Sequence, residues 1–85
     1  MNFRFTAHAL REMERRGLDR TVVERVIGNP AQVREGRLGR EVLQSRVDFP
    51  DGEYLLRVIV DRREDPPAVV TVYRTRYVAK YWRQE

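Results

Sequence analysis

The sequence predicts an α+β domain in which an N-terminal helical hairpin packs on one face of a three- to four-stranded antiparallel sheet. Three observations indicate this fold class. Apolar residues recur at helical spacing before Pro30, they recur at every second position after it, and glycine and proline turns separate the strand-like segments. The 85 residues contain no linker or internal repeat, so we expect a single domain over residues 1–85.

The first helix is expected over about Ala7 to Arg16. Thr6 is a good N-cap residue, and Gly17 is a typical C-terminal stop. Helical geometry places apolar residues on one side of this helix and polar residues on the other. The apolar side holds Ala9, Leu10 and Met13, and the polar side holds His8, Arg11, Glu12 and Arg15.

A second helix is expected over about Arg20 to Ile27, with Asp19 as its N-cap. It carries a continuous apolar stripe formed by Val22, Val23, Val26 and Ile27. The helix ends at Gly28-Asn29-Pro30, because proline cannot continue a helix. Together the two segments predict the helical hairpin.

Alternating apolar residues predict three strands, "EVLQSRVDF", "EYLLRVIVDR" and "AVVTVYRTR", separated by "PDG" and by the loop from Asp61 to Pro67. A weaker strand is expected from Gln32 to Arg37, turning at Leu38-Gly39. Two helices cover only one face of such a sheet, so the other face should carry the polar residues. Those residues are Gln44, Arg46, Arg57, Thr71, Tyr73 and Thr75.

Composition excludes several classes of chemistry. With no cysteine and one histidine, the chain lacks a recognisable metal-ligand spacing, and no cofactor is expected. Glycine-rich phosphate loops and a serine nucleophile elbow are also missing from the sequence. The net charge of +4 and the pI near 10.1 favour anionic partners. No segment is apolar enough to span a bilayer, so we expect a cytoplasmic protein without a membrane partner.

The remaining polar residues suit metal-independent RNA cleavage. In this reaction the ribose 2′-hydroxyl attacks its own phosphate, and the protein supplies a base, an acid and cations. His8 is the candidate base or acid, Arg11 lies one turn further along the same helix face, and Arg15 is placed to reach a neighbouring phosphate. The alternative interpretation is a solvated basic helix face that happens to carry a histidine.

Arg57 lies in the middle of the most apolar strand. It must emerge on the face opposite the apolar residues, beside Thr71 and Tyr73, or else be buried next to a carboxylate. The first arrangement favours phosphate binding, and the second is an ion pair with Glu41 or Asp48. The tyrosines of the last strand and the tail are base-stacking platforms in one interpretation and packed aromatics in the other.

The order of the motifs "FTAHALREMERRGL", "VVERVIGNP", "YLLRVIVD" and "AVVTVYRTRYVAKYW" resembles a family of small bacterial proteins known only as a domain of unknown function. That family is similar to the RelE, ParE and BrnT toxins of toxin-antitoxin pairs. The resemblance covers nearly the whole chain and implies a RelE-like fold. It places a site at the polar positions of the pattern, which are His8, Arg11, Arg15, Arg57, Tyr73 and Arg74.

From the resemblance we expect a toxin that is a metal-independent endoribonuclease, with RNA and a cognate antitoxin as partners and a homodimer as a further possibility. The expected catalytic residues are His8, Arg11, Arg57 and Tyr73, and the expected RNA-binding residues are Arg15, Arg46, Thr71, Arg74, Thr75 and Tyr81. Two alternatives stay open: a non-catalytic nucleic-acid-binding module, and a protein-interaction module such as a gyrase-directed ParE-like toxin. The lysine-rich strand typical of ribosome-dependent RelE-like nucleases is absent from the sequence.

Overall fold

The computed structural model describes residues 2–84, which form an α+β fold around one five-stranded mixed sheet. The strand order is β1-β5-β4-β3-β2. The strands are β1 (Arg4–Phe5), β2 (Gln32–Glu35), β3 (Glu41–Phe49), β4 (Gly52–Asp61) and β5 (Ala68–Thr75). The α-helices are α1 (Ala7–Arg15), α2 (Arg20–Gly28) and the one-turn α3 (Val78–Tyr81), and a short 3₁₀ helix spans Arg37–Gly39. Within residues 2–84, no helix has the length and apolarity required to cross a bilayer.

The expected fold class, a helical hairpin on a three- to four-stranded antiparallel sheet, is wrong. The sheet has five strands, and β1 pairs with β5 in parallel through hydrogen bonds from Arg4 N to Pro67 O (2.9 Å) and from Thr6 N to Val69 O (3.1 Å). The two helices do not act as a hairpin either, because α1 packs mainly on β5 while α2 packs on β4 and β3. A two-residue strand is too short to show a periodicity, which is why the sequence pattern missed β1.

Local signals set the ends of the helices as expected. Thr6 caps α1 by accepting a hydrogen bond at Oγ1 from Ala9 N (3.0 Å). Gly17 follows α1 with φ at +65°, a conformation that side chains other than glycine rarely adopt. Asp19 occupies the N-cap of α2, although its side chain makes no capping hydrogen bond. Leu10, expected on the apolar side of α1, is 42% exposed.

The main core lies between the helices and one face of the sheet. It is formed by Ala9, Met13, Leu18, Val23, Val26, Ile27, Leu43, Leu56, Val58, Val60, Val69 and Val72. Val69 joins this core because the register between β4 and β5 shifts at Ile59/Val60, so that Val60 pairs with Val69. Strict alternation along β5 would place Val69 on the same face as Thr71, so this irregularity is what brings Val69 into the core.

The face of the sheet opposite the helices carries the polar side chains that alternation predicted. Register places Gln44 opposite Arg57 and Arg57 opposite Tyr73, with a second row, Arg46, Leu55 and Thr75, beside them. This face is not fully open, because residues 76–84, here called the C-terminal segment, lie across part of it. Gln44 Nε2 donates to the carbonyl of Tyr81 in this segment (3.2 Å). Gln44 is consequently fully buried, although it lies outside the main core.

Leu56 tests the main core, since it is completely buried between the sheet and the helices. We expect Leu56→Ala to lower the free energy of unfolding by about 2–5 kcal/mol, through lost apolar burial and the cavity that remains. Leu10→Ala is the control, because its side chain is 42% exposed, and it should change the free energy by less than about 1 kcal/mol. Urea denaturation measures both, and equal losses in the two variants would contradict the assigned core.

Candidate functional site

A groove of about 710 Å³ lies on the face of the sheet opposite α1 and α2, and it is lined by β2 to β5, by the connection after β2 and by α3. Its described lining contains five basic side chains and one carboxylate. The basic residues are Arg34, Arg37, Arg40, Arg57 and Lys80, the carboxylate is Glu35, and the other lining residues are Gly36, Val42, Ile59, Thr71, Tyr73 and Tyr81. Such an excess of cations in one concave surface attracts anions.

Arg57 forms the floor of this groove and is only 9% exposed. Its Nε donates to Gln44 Oε1 (2.9 Å), its Nη1 donates to the hydroxyl of Tyr73 (2.6 Å), and its guanidinium lies 4.1 Å from the centroid of the Tyr81 ring. Within residues 2–84 no carboxylate lies within ion-pair distance of Arg57. Glu41, one of its two expected partners, pairs with Arg62 instead. The charge of Arg57 is therefore buried and not neutralised.

A chain of amide hydrogen bonds holds Arg57 in place. Gln44 Nε2 donates to Gln32 Oε1 (2.8 Å), and Gln32 Nε2 donates to the carbonyl of Arg83 (2.6 Å). The backbone N–H of Arg83 donates back to Gln32 Oε1 (3.1 Å). All these bonding groups are neutral, so the network fixes the guanidinium without cancelling its charge.

The other cations come from β2 and from the connection that follows it. Arg34 lies next to Gln32 on the same face of β2, and its Nη1 donates to the carbonyl of Tyr81 (2.6 Å). Arg37 and Arg40 flank the 3₁₀ turn. Arg40 Nε is buried without a hydrogen-bond partner and lies 4.0 Å from Asp61 Oδ2. The Arg40 charge is therefore partly offset by the Asp61 carboxylate.

The structure brings together four of the residues expected to form the site. Arg57, Thr71, Tyr73 and Tyr81 all line the groove. Arg46 and Thr75 lie on the same face of the sheet but outside this lining. Arg46 instead pairs with Glu53 (2.9 Å) and lies over the Trp82 ring, and Thr75 Oγ1 accepts a hydrogen bond from Tyr77 N (3.1 Å).

The other four expected residues lie away from the groove. His8, Arg11 and Arg15 belong to α1, which packs on the opposite face of the sheet, and Arg15 forms an ion pair with Glu12 (2.8 Å). Arg74 also points to the helix side, where its guanidinium lies over the rings of Phe49 and Tyr54 at 4.5 and 4.3 Å. The sheet therefore separates the only histidine from Arg57, and the expected combination of the two in one pocket is not formed.

Several residues of the groove were missed by sequence reasoning: Gln32, Arg34, Arg37, Arg40 and Lys80. The face on which Gln32 and Arg34 lie could have been predicted from the sequence. The expected turn at Leu38-Gly39 sets β2 against β3, so alternation puts Gln32 and Arg34 on the same face as Gln44. Lys80 had no such signal, because the position of α3 depends on tertiary contacts. No cluster of three or more histidine and carboxylate side chains within residues 2–84 is suited to hold a metal ion.

A family model described as "Domain of unknown function (DUF4258)" matches residues 5–74. The chain belongs to this family. The matched DUF4258 region includes Arg57 and Tyr73 but ends before α3, so Lys80 and Tyr81 lie outside it. No curated protein and no solved structure shows significant similarity to the chain. The family resemblance seen in the sequence is thus confirmed for the domain of unknown function, and its relation to toxins stays a prediction.

Asp61 at the end of β4 gives a test of the charges that border the groove. Its pKa is lowered from 3.8 to about 2, first because the Arg63 side chain donates to it and then because the Arg63 backbone N–H does, with a smaller contribution from Arg40. A carboxyl group with a depressed pKa in the folded state stabilises the fold at higher pH and loses this effect as the pH falls through that pKa. We expect wild type to exceed Asp61→Asn in stability at neutral pH and the difference to vanish as the pH falls from 3.8 through about 2.

Urea denaturation across this pH range measures the difference. Arg63→Gln removes the main donor while keeping the carboxylate, and it should reduce the pH dependence. If the difference in the free energy of unfolding between wild type and Asp61→Asn is as large at the lowest pH as at neutral pH, the ionised carboxylate is not its source.

Proposed function

We propose that this DUF4258 domain binds single-stranded RNA in the groove, with Arg57 as the central phosphate ligand. The proposal is supported by the buried guanidinium of Arg57, which only neutral groups contact among residues 2–84. Burying an unpaired cation costs free energy, and a phosphate entering the groove would offset this cost. Guanidinium groups suit that ligand, because their planar donors match pairs of phosphate oxygens.

The remaining lining favours a nucleic acid over a simple anion. Arg34, Arg37 and Lys80 provide charge for neighbouring phosphates. The Arg57 guanidinium covers one face of the Tyr81 ring, and in this proposal a base stacks on the other face, a contact common in proteins that bind single strands. The hydroxyl of Tyr73 lies beside Arg57 and is a hydrogen-bond partner for a ribose 2′-hydroxyl, the group that distinguishes RNA from DNA.

Arg57→Gln tests this proposal by removing the central charge. We expect it to weaken binding of a fluorescent RNA of about eight nucleotides by about ten- to a hundredfold, as for a lost hydrogen bond to a charged group. The slope of log affinity against log salt concentration should fall by about 0.7, as for one lost phosphate contact. Fluorescence anisotropy over a salt series measures both quantities.

Arg25→Gln is the matched control, since it removes the same charge from an exposed position on α2, on the other side of the sheet. Its effect on RNA affinity should be small. Equal losses in the two variants would mean that RNA responds to the net charge of the protein and not to this groove, which would contradict the proposal.

A second candidate function is metal-independent cleavage of the bound RNA, and the contact between Arg57 and Tyr73 favours it. In this proposal the 2′-hydroxyl attacks the adjacent phosphorus and releases its proton to a water molecule. Tyr73 donates a proton to the departing 5′-oxygen, and Arg57 neutralises the charge that develops on the phosphate. The reaction leaves a 2′,3′-cyclic phosphate. This activity would make the protein a toxin that acts on RNA and is inhibited by a cognate antitoxin.

Tyr73→Phe separates cleavage from binding, because it removes the hydroxyl and keeps the ring. In the presence of EDTA we expect wild type to produce cyclic-phosphate ends, and Tyr73→Phe to bind RNA within about threefold of wild type while cleaving it about a hundredfold more slowly, as for a lost general acid. Product analysis by mass spectrometry and binding by anisotropy give the two readouts. Cleavage that depends on His8 and not on Tyr73 would assign the reaction to α1 and contradict a site in the groove.

A further inference from the structure

The C-terminal segment brings positive charge onto a surface that is already positive. Residues 76–84 contain Arg76, Lys80 and Arg83 but no aspartate or glutamate. Beneath them lie Arg34 and Arg57, and hydrogen bonds between the two layers run from the side chains of Gln32, Gln44 and Arg34 to backbone carbonyls of the segment. Arg57 and Lys80, which both line the groove, repel each other electrostatically, while hydrogen bonds to carbonyls and the cation–π contact of Arg57 with Tyr81 hold the two layers together.

Side-chain hydrogen bonds, cation–π contacts and the ion pair of Arg76 with Asp51 hold this segment to the sheet, and none of its residues belongs to the main core. The single-turn helix α3 buries no residue completely, and one helical turn has little stability by itself. The exposed fraction of Tyr77, which precedes α3, is 75%. Because the segment contributes nothing to the main core, it can separate from the sheet without unfolding the rest of the domain.

We propose that the C-terminal segment is a clamp that closes over a phosphate of RNA bound in the groove, and this inference rests on the proposed RNA binding. The phosphate lies between Arg57 on the sheet and Lys80 on the segment. Both cations are attracted to its negative charge, and this attraction offsets their mutual repulsion. RNA therefore binds the closed form more tightly than the open form, and binding stabilises closure. By the same linkage, closure of the segment raises the affinity for RNA.

The charge of the segment distinguishes a clamp from an inhibitory plug. A segment that blocked a basic groove by imitating its ligand would be acidic, and residues 76–84 have no acidic side chain. Lys80 and Tyr81 also form part of the groove lining, so the segment completes the site instead of filling it. The family match ends at residue 74, which makes this wall of the groove an addition to the matched region.

Hydrogen exchange on the full chain tests the clamp. The informative amides are those of Val78, Lys80 and Trp82, which donate to carbonyls within the segment, and the amide of Arg16 at the end of α1 is the internal control. We expect saturating RNA of about eight nucleotides to slow exchange at the three segment amides by about tenfold or more. Exchange at Arg16 should not change, and sodium chloride of equal ionic strength should not reproduce the effect.

Two results would overturn the clamp, and they are distinguishable. If anisotropy shows RNA binding that depends on Arg57 while exchange in the segment is unchanged, the clamp is wrong and the proposed function stands. If RNA does not bind at all, both proposals fail together. Protection by RNA of the segment alone supports the clamp.

Lys80 provides the matched variants. Lys80→Gln removes the cation that the segment contributes to the groove, so it should lower both the RNA affinity and the RNA-induced protection of Val78 and Trp82. Lys80→Arg keeps the charge and should restore both. A Lys80→Gln protein that loses affinity but keeps full protection would show that Lys80 binds RNA without coupling it to closure, which would also overturn the clamp.

Discussion

The hydrogen bonds of the Arg57 guanidinium depend on three adjacent strands lying in one register. Gln44 of β3 and Tyr73 of β5 flank Arg57 because both are directly opposite it in the sheet. That register is set from the other face, where Leu56 and Val58 are buried under the helices. A slip of one residue would place Arg57 in the apolar core and Leu56 in the groove. The apolar core and the polar groove are thus two results of a single strand pairing.

The alternation of residues in β3, β4 and β5 was sufficient to predict these strands, the face that carries Arg57, and Tyr73 on that same face. The parts that sequence reasoning missed depend on contacts without a local period. Strand β1 has two residues, the placement of Val69 depends on a register irregularity, and α3 is positioned by hydrogen bonds from distant glutamines. The proposed meeting of His8 and Arg57 conflicted with the pattern itself, since helices that cover the apolar face cannot also present His8 to the opposite one.

Ion pairs neutralise several carboxylates of the protein at sites outside the groove lining. The carboxylates of Glu12, Glu24, Glu53 and Asp51 are each engaged by arginines outside the groove lining. The pairs of Arg4 with Glu64 and of Arg62 with Glu41 follow the same rule. Exposed pairs of this kind contribute little to stability. Their larger effect is on the electrostatic potential, because each one cancels charge outside the groove. Asp61 partly offsets the charge of Arg40 within the lining.

Glutamine at position 44 explains how a buried arginine stays available to a ligand. A carboxylate there would give Arg57 a full ion pair, and an incoming phosphate would then have to displace that carboxylate or share the cation with it. The Gln44 amide satisfies the geometry of one guanidinium nitrogen and continues the network to Gln32 and the C-terminal segment. The buried and unneutralised charge of Arg57 costs free energy in the folded state. A bound anion would offset this cost, and the neutral network holds Arg57 oriented toward such a ligand.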